Sequence, residues 1–387
     1  MFLNFVFQTS KTLAKVNLWN KKKIYWFWIF LGLTALFARL FLSSGTIENY
    51  YSRGLFLKVR AFLDVFTPFF PIALIYPFLA VLFIFLGYRL VNFIKKTAPL
   101  KEKIVDFVFS VAGFCGAVVF FFLILWGFNY GRIPVEKQLD LQSKKINLDD
   151  IKREIEYHTA IISNLRGGID EVNDLGKIIP VTGKLSPENL ESVIRKSLVK
   201  VLTENNFPVA GKVRCRDLMP RGVLLSFATS GIYFPFTGEG HVDAALHPLQ
   251  KPFVMAHEMA HGYGFTDEGI CNFWAYLACI HSDNLFVRYV GHLNYWRYLA
   301  STWKANDPEE YQIFRDRLPP EIQADLDTIN ESLNKFPDYL PSIRYFAYDT
   351  YLKAQGINDG MDNYDRVIPL VISWWEKMKT SGREKGY

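Results

Sequence analysis

The pattern of apolar and polar positions changes character once along the chain. Up to about residue 128 it is dominated by long runs of Phe, Leu, Ile and Trp; beyond about 130 it has ordinary globular spacing. Three runs predict membrane-spanning helices: YWFWIFLGLTALFARLFL (25–42), TPFFPIALIYPFLAVLFIFLGYRLVNFI (67–94) and KIVDFVFSVAGFCGAVVFFFLILWGF (103–128). Each approaches or exceeds the roughly 20 apolar residues needed to cross a hydrocarbon core. Arg39 and Asp106 stand near helix ends and reach the interface, and Pro71 and Pro77 are tolerable inside a bundle.

After the spans, 138–165 has helical composition, and LSPENLESVIRKSLVKVLTENNF (185–207) predicts a helix capped by Ser186 with Pro187 in its first turn. GKVRCRDL and GVLLSFATSGIYFPFTGEGHVDAAL are too short and too broken by Gly and Ser for helices and predict strands and turns. KPFVMAHEMAHGYG (251–264) returns to helix. A turn follows over 262–267, then a second helix from about Asp267 to Ile280, and the last hundred residues predict further helices. The expected fold class is α+β and mainly helical: a short N-terminal segment (1–24), a membrane region (25–129) and a domain over 130–387 with a small sheet and a helical C-terminal part.

Charge sets the expected orientation. Lys11, Lys15 and Lys21–Lys23 precede the first span and KKTAPLKEK lies between the second and third, whereas the first loop carries only Arg53, Lys58 and Arg60. The positive-inside bias then puts the N-terminus in the cytoplasm and the 130–387 domain outside it. No cleavage signal follows the first span, which predicts an uncleaved anchor. The net charge of +6 sits mostly beside the apolar runs and explains membrane contact rather than nucleic-acid binding. Cys271 and Cys279 are two helical turns apart, too far to bond each other, but an exported domain allows Cys215 to pair with one of them.

The stretch HEMAHGYGFTDEGICNFWAYLAC (257–279) carries the chemistry. His257 and His261 are four apart, so a helix puts both imidazoles on one face, where they can share a tetrahedral cation. Glu258 is placed to act as general base toward an attacking water. With 7 histidines in 387 residues, an accidental HExxH is on the order of a one-in-a-hundred event. The apolar PFVMA before it predicts a buried helix, and a buried His–Glu–His needs a partner.

The third ligand is contested. HEMAHGYGFTD fits the metzincin frame with Asp267 as alternative metal ligand. EGICN offers Glu268, with Asn272 one turn on, as in the glutamate zincins, where that residue holds a ligating histidine's second nitrogen. A metzincin needs a methionine turn beneath the metal. The distant candidate, Met361, lies in an acidic loop, so Glu268 is favoured. His241, in GIYFPFTGEGHVDAAL, is expected to be exposed on a strand, with a secondary expectation that it reaches the site. Tyr364, Arg366 and Tyr351 are candidate oxyanion or substrate contacts.

Three spans followed by AHEMAHGYGFTDEGICNFWAYLAC and YDTYLKAQG resemble an uncharacterised bacterial family of membrane-anchored, zincin-like metallopeptidases of the glutamate-zincin type. The family pattern of HExxH, a glycine turn, an acid and an Asn-Phe-x-Ala-Tyr-Leu helix falls on His257, Glu258, His261, Glu268, Asn272, Phe273, Ala275, Tyr276 and Leu277. Its second acid is replaced by Ile270. The resemblance implies one Zn2+ per chain on His257, His261 and Glu268, and a peptide or protein substrate hydrolysed with Glu258 as base. It also implies an integral protein of a bacterial inner or plasma membrane. Two other expectations stay open: a catalytically inactive binding or sensing module of the envelope, and a zinc amidase acting on a non-peptide or cell-wall substrate.

Overall fold

The computed structural model describes residues 2–142, 145–169, 186–354 and 366–382. The chain is α+β and mainly helical, with three helices long and apolar enough to cross a membrane.

Helix α1 (Phe2–Phe41) contains the first candidate span, Lys22–Phe41; α4 (Ile75–Lys95) and α5 (Leu100–Leu125) are the other two. The second span therefore begins at Ile75, not at 67. Pro68 and Pro71 lack the amide a continuing helix needs, so 67–74 forms a short 3-10 turn and a bend, and only Pro77 lies in α4, in its first turn. The third span runs Leu100–Leu125 rather than 103–128 and stops at Trp126. α1 and α5 cross at glycines: a Cβ on Gly32 would stand 2.5 Å from the Gly116 carbonyl oxygen. Small residues let the backbones meet where apolar lipid offers no reason for larger side chains to associate.

The loop between the first two spans is folded. α2 (Ser44–Thr46), a π-helical stretch (Ile47–Leu55) and α3 (Phe56–Phe66) run continuously and pack against the exit of α5. The Tyr51 hydroxyl donates to the Leu123 and Ile124 carbonyls, and the Ser52 hydroxyl donates to Asn129 Oδ1. This loop and the chain after Trp126 thus share one end of the span bundle.

α6 (Val135–Gln138) and α7 (Leu148–Gly167) lead into the domain, so the expected 138–165 helix stops after Gln138 and restarts at Leu148. Asn147 forms a capping box with Asp150 at the restart. α8 (Leu190–Glu204) starts one turn later than Ser186 and Pro187 suggest, since 187–189 forms a turn and Asn189 takes the cap position. The sheet has the order β1–β3–β2. β1 (Arg214–Leu218) is parallel to the central β3 (Glu239–Asp243), and β2 (Gly231–Phe234) is antiparallel to it. α9 (Lys251–Gly262) crosses one face of the sheet, and α10 (Glu268–Ile280) packs behind α9 with every residue buried. α11 (Leu285–Asn306) encloses them. α12 (Pro308–Arg315), α13 (Pro320–Asn334), α14 (Pro341–Ala354) and α15 (Val367–Thr380) complete the helical C-terminal part. Cys215, Cys271 and Cys279 are buried free thiols; no disulfide forms among them.

The glycine crossing gives a test. Gly32→Ile forces α1 away from α5 and lowers the melting temperature of the detergent-solubilised protein, with an overpacking cost of about 1–3 kcal/mol. Gly87→Ile, at a position with open space around it, leaves the melting temperature unchanged.

Candidate metal centre

Helical spacing stacks His257 over His261, and the turn after Gly262 swings α10 back so that its first residue, Glu268, meets both. His257 Nε2 lies 3.0 Å from Glu268 Oε2 and 3.1 Å from His261 Nε2, and His261 Nε2 lies 3.4 Å from Glu268 Oε2. Donors held about 2.0–2.1 Å from one tetrahedral ion stand roughly 3.3–3.4 Å apart, so the triangle has the right size. All three residues are buried and form the one group of metal-ligating side chains found among the described residues.

The remaining ring nitrogens show why the triangle calls for a cation. His257 Nδ1 lies 2.8 Å from Asn272 Oδ1, and His261 Nδ1 lies 2.8 Å from the Phe265 carbonyl oxygen. Each Nδ1 faces an acceptor and therefore carries the proton, leaving both Nε2 lone pairs aimed at each other and at a carboxylate. Three acceptors at such range repel unless positive charge sits between them. Burial raises the Glu268 carboxyl, but His261, with His257 beside it, outweighs burial and holds it well below the usual carboxylate range. Burial disfavours charge on His261, yet Cys271 and Glu268 lift it well above the usual imidazole value. A proton on one Nε2 or a metal ion between the three atoms would each relieve this contact.

Local sequence explains the turn. Gly264 has φ +91°, the left-handed region where a Cβ is strained, and a Cβ there would also stand 2.7 Å from the Phe56 ring. Arg132 donates to the Gly264 carbonyl at 3.0 Å and lies over the Phe265 ring, while Glu48 accepts from Arg132 and Arg53. Trp126 donates its indole N–H to the His261 carbonyl at 2.8 Å. The membrane-side loop and the end of α5 therefore brace the ligand turn directly.

Glu258 lies on the sheet side of α9. It is buried and makes no hydrogen bond among the described residues. Burial, opposed by the charges of His257 and His261, pushes its carboxyl up to about 7. β2 and β3 cover it through glycines: a Cβ on Gly231 would stand 2.6 Å from Glu258 Oε1, and one on Gly240 would stand 2.8 Å from Glu258 Cβ. β2 is an edge strand. The Asp243 N–H donates to the Ser230 carbonyl, so by antiparallel alternation the backbone groups of Gly231 and Tyr233 point outward, away from β3. No backbone partner for these groups occurs among the described residues.

The other expected residues fall elsewhere. Asp267 caps α10, accepting from the Ile270 N–H at 2.9 Å, and its second oxygen accepts from Arg366 at 2.6 Å, so neither oxygen turns to the histidines. Arg366 is bound to Asp267 and Glu136, which makes it a brace for the start of α10 rather than an oxyanion contact. His241 is not exposed but fully buried. It pairs across the sheet with Arg216, on the face opposite Gly240 and Glu258, under the 67–74 bend that Arg216 holds. Burial and then Arg216 lower its imidazole to about 4. Tyr364, Met361 and the Tyr351 side chain lie outside the described residues. Sequence reasoning missed Gly231, Trp126, the Phe265 carbonyl and Cys271, whose Sγ lies 3.3 Å from His261 Nδ1. A backbone carbonyl leaves no signal in residue identity, and the others act across 10 to 135 positions of chain.

Residues 51–372, most of the chain, match the family described as Protein of unknown function (DUF3810), and the chain belongs to it. Neither a curated protein nor a solved structure matches the chain.

Metal analysis separates the two acids. Glu268→Ala, like His257→Ala, is expected to abolish binding of zinc added to the metal-stripped protein. Asp267→Ala retains zinc and loses about 1 kcal/mol of stability as a broken helix cap. Asn272→Ala weakens zinc roughly 10- to 100-fold in chelator competition. Because Cys271 and Glu268 raise the His261 imidazole, a proton competes there with added zinc, and zinc binding is expected to fall as pH is lowered and recover as it is raised.

Proposed function

We propose that this protein is a membrane-anchored zinc metallopeptidase of the glutamate-zincin type. His257, His261 and Glu268 hold the ion, and Glu258 is the general base. The observation that carries this reading is the position of Glu258. It is a buried carboxylate, one residue from the first donor, beneath the edge strand β2. A site that only held a metal for structure would need neither the acid nor the edge.

When bound, zinc supplies a Lewis acid that makes water nucleophilic near neutral pH and polarises a carbonyl. The chain's own residues do the rest. An extended peptide adds to β2 through the outward amides and carbonyls of Gly231 and Tyr233, which brings its backbone alongside Glu258. Glu258 accepts a proton from the attacking water and delivers it to the departing amine. Gly231 leaves the carboxylate room to make that exchange. Asn272 and the Phe265 carbonyl keep each imidazole in the tautomer that presents Nε2. The lysines ahead of the first span and between the second and third favour placement of this centre outside the cytoplasm, in a bacterial inner or plasma membrane.

Hydrolysis of fluorogenic casein by zinc-loaded, detergent-solubilised protein tests the reading. Glu258→Gln retains zinc and lowers the rate on the order of 10²- to 10⁴-fold. Gly231→Val, whose side chain invades the space of Glu258, also retains zinc and lowers the rate. Unchanged hydrolysis in Glu258→Gln sinks the proposal.

A further inference from the structure

The site lies unusually close to the membrane spans, on both sides. On one side Trp126, the residue immediately after α5, is hydrogen-bonded to the carbonyl of His261. On the other side, β2 runs from Gly231, beside Glu258, to Phe234, whose ring packs on Phe78 in the first turn of α4 at 5.1 Å between centroids. Three residues of strand cover roughly 10 Å, so the base and the start of the second span are separated by about that distance. Trp126 is itself buried in the protein, so the end of α5 rather than the ring marks this edge of the spans.

α3 closes the gap between these two landmarks. Its Arg60 is buried and donates to the Gly238 carbonyl in the β2–β3 turn and to the Tyr233 hydroxyl. The opposite stripe, Leu55, Phe62, Val65 and then Phe69, is exposed, with Lys58 among them. A helix with its polar groups turned into the protein and an apolar stripe turned out does not suit water. It suits the bilayer interface, with the lysine extending its ammonium to the headgroups. The stripe continues the apolar surface of the spans, so the hairpin stands one helix thickness, about 10 Å, above the interface.

Resting on the metallopeptidase reading above, we infer that the substrates are juxtamembrane segments of membrane-anchored proteins. A chain leaving the bilayer beside α4 reaches the β2 edge as soon as it emerges, and pairs along Gly231 and Tyr233 with its scissile bond beside Glu258. A soluble polypeptide must instead approach an edge already crowded by the membrane surface. The reaction is ordinary amide hydrolysis: water adds its hydroxyl to the carbonyl carbon, the C–N bond breaks, and the amine leaves with the proton carried by Glu258.

The test uses full-length, zinc-loaded protein in proteoliposomes. It is co-reconstituted with a single-span model helix bearing a 40-residue unstructured casein tail, and compared with the same tail free in solution. The expected result is cleavage of the anchored tail about tenfold or more faster. Mass spectrometry places the cuts within about eight residues of the helix, the reach of a short strand. Equal rates for the free tail, or cuts spread along the anchored one, overturn this inference and leave the peptidase reading standing. Cleavage of neither tail, or cleavage unchanged in Glu258→Gln, overturns both. Nitroxides on Ile232→Cys and Phe62→Cys in a Cys115→Ser background give a readout independent of catalysis. The expected depths put Phe62 in the interface and Ile232 on the order of 10 Å above it. A Phe62 label fully accessible to water overturns the inference.

Discussion

Three electron-pair donors are held where they can only repel one another unless a cation lies between them. His257 Nε2, His261 Nε2 and a Glu268 oxygen meet within 3.0–3.4 Å, and the surrounding contacts prevent their separation. Asn272 and the Phe265 carbonyl fix the imidazoles from behind, Asp267 caps the helix that begins with Glu268, and Arg366 holds Asp267. Each of these contacts orients a donor, and none neutralises the donors' mutual repulsion. A proton or a metal ion shared by the three atoms would relieve it.

Such a site needs rigid support, and much of it comes from the membrane region. The turn joining the two ligand helices is gripped by Trp126 from the end of α5, by Arg132, and by Phe56 from the first loop. Glu48, in the π-helical stretch, accepts hydrogen bonds from Arg132 and Arg53 and so ties the loop to the chain emerging from the third span. The anchor is thus part of the scaffold of the centre.

Much of this was legible in the residues. Unbroken apolar runs announced three spans because hydrocarbon demands them. HExxH announced two histidines able to share a cation because helical spacing of four aligns them on one face. The choice of Glu268 over Asp267 rested on a helix pattern, and the structure turns Glu268 to the histidines and Asp267 to its cap. Span ends were less legible: hydropathy ran through the 67–74 bend, where the prolines rather than apolar content end the helix. His241 was misjudged because strand alternation tells which residues share a face, not which face is covered. Here the 67–74 bend from the membrane region closes over it.

Local chemistry is written in residue order: hydropathy, helical period, the capping preference of Asp267 and the donor types of His257, His261 and Glu268 all act within a few positions. What depended on the folded chain were contacts between distant segments. Gly231 lies against Glu258, Trp126 against His261, and Arg60 of α3 against the β2–β3 turn. Such contacts arise when separate elements bury surface against one another, and no local propensity encodes which partner that will be. The residues thus specified a His–His–Glu cluster behind three apolar helices, and packing decided that it lies beneath an edge strand and against the end of α5.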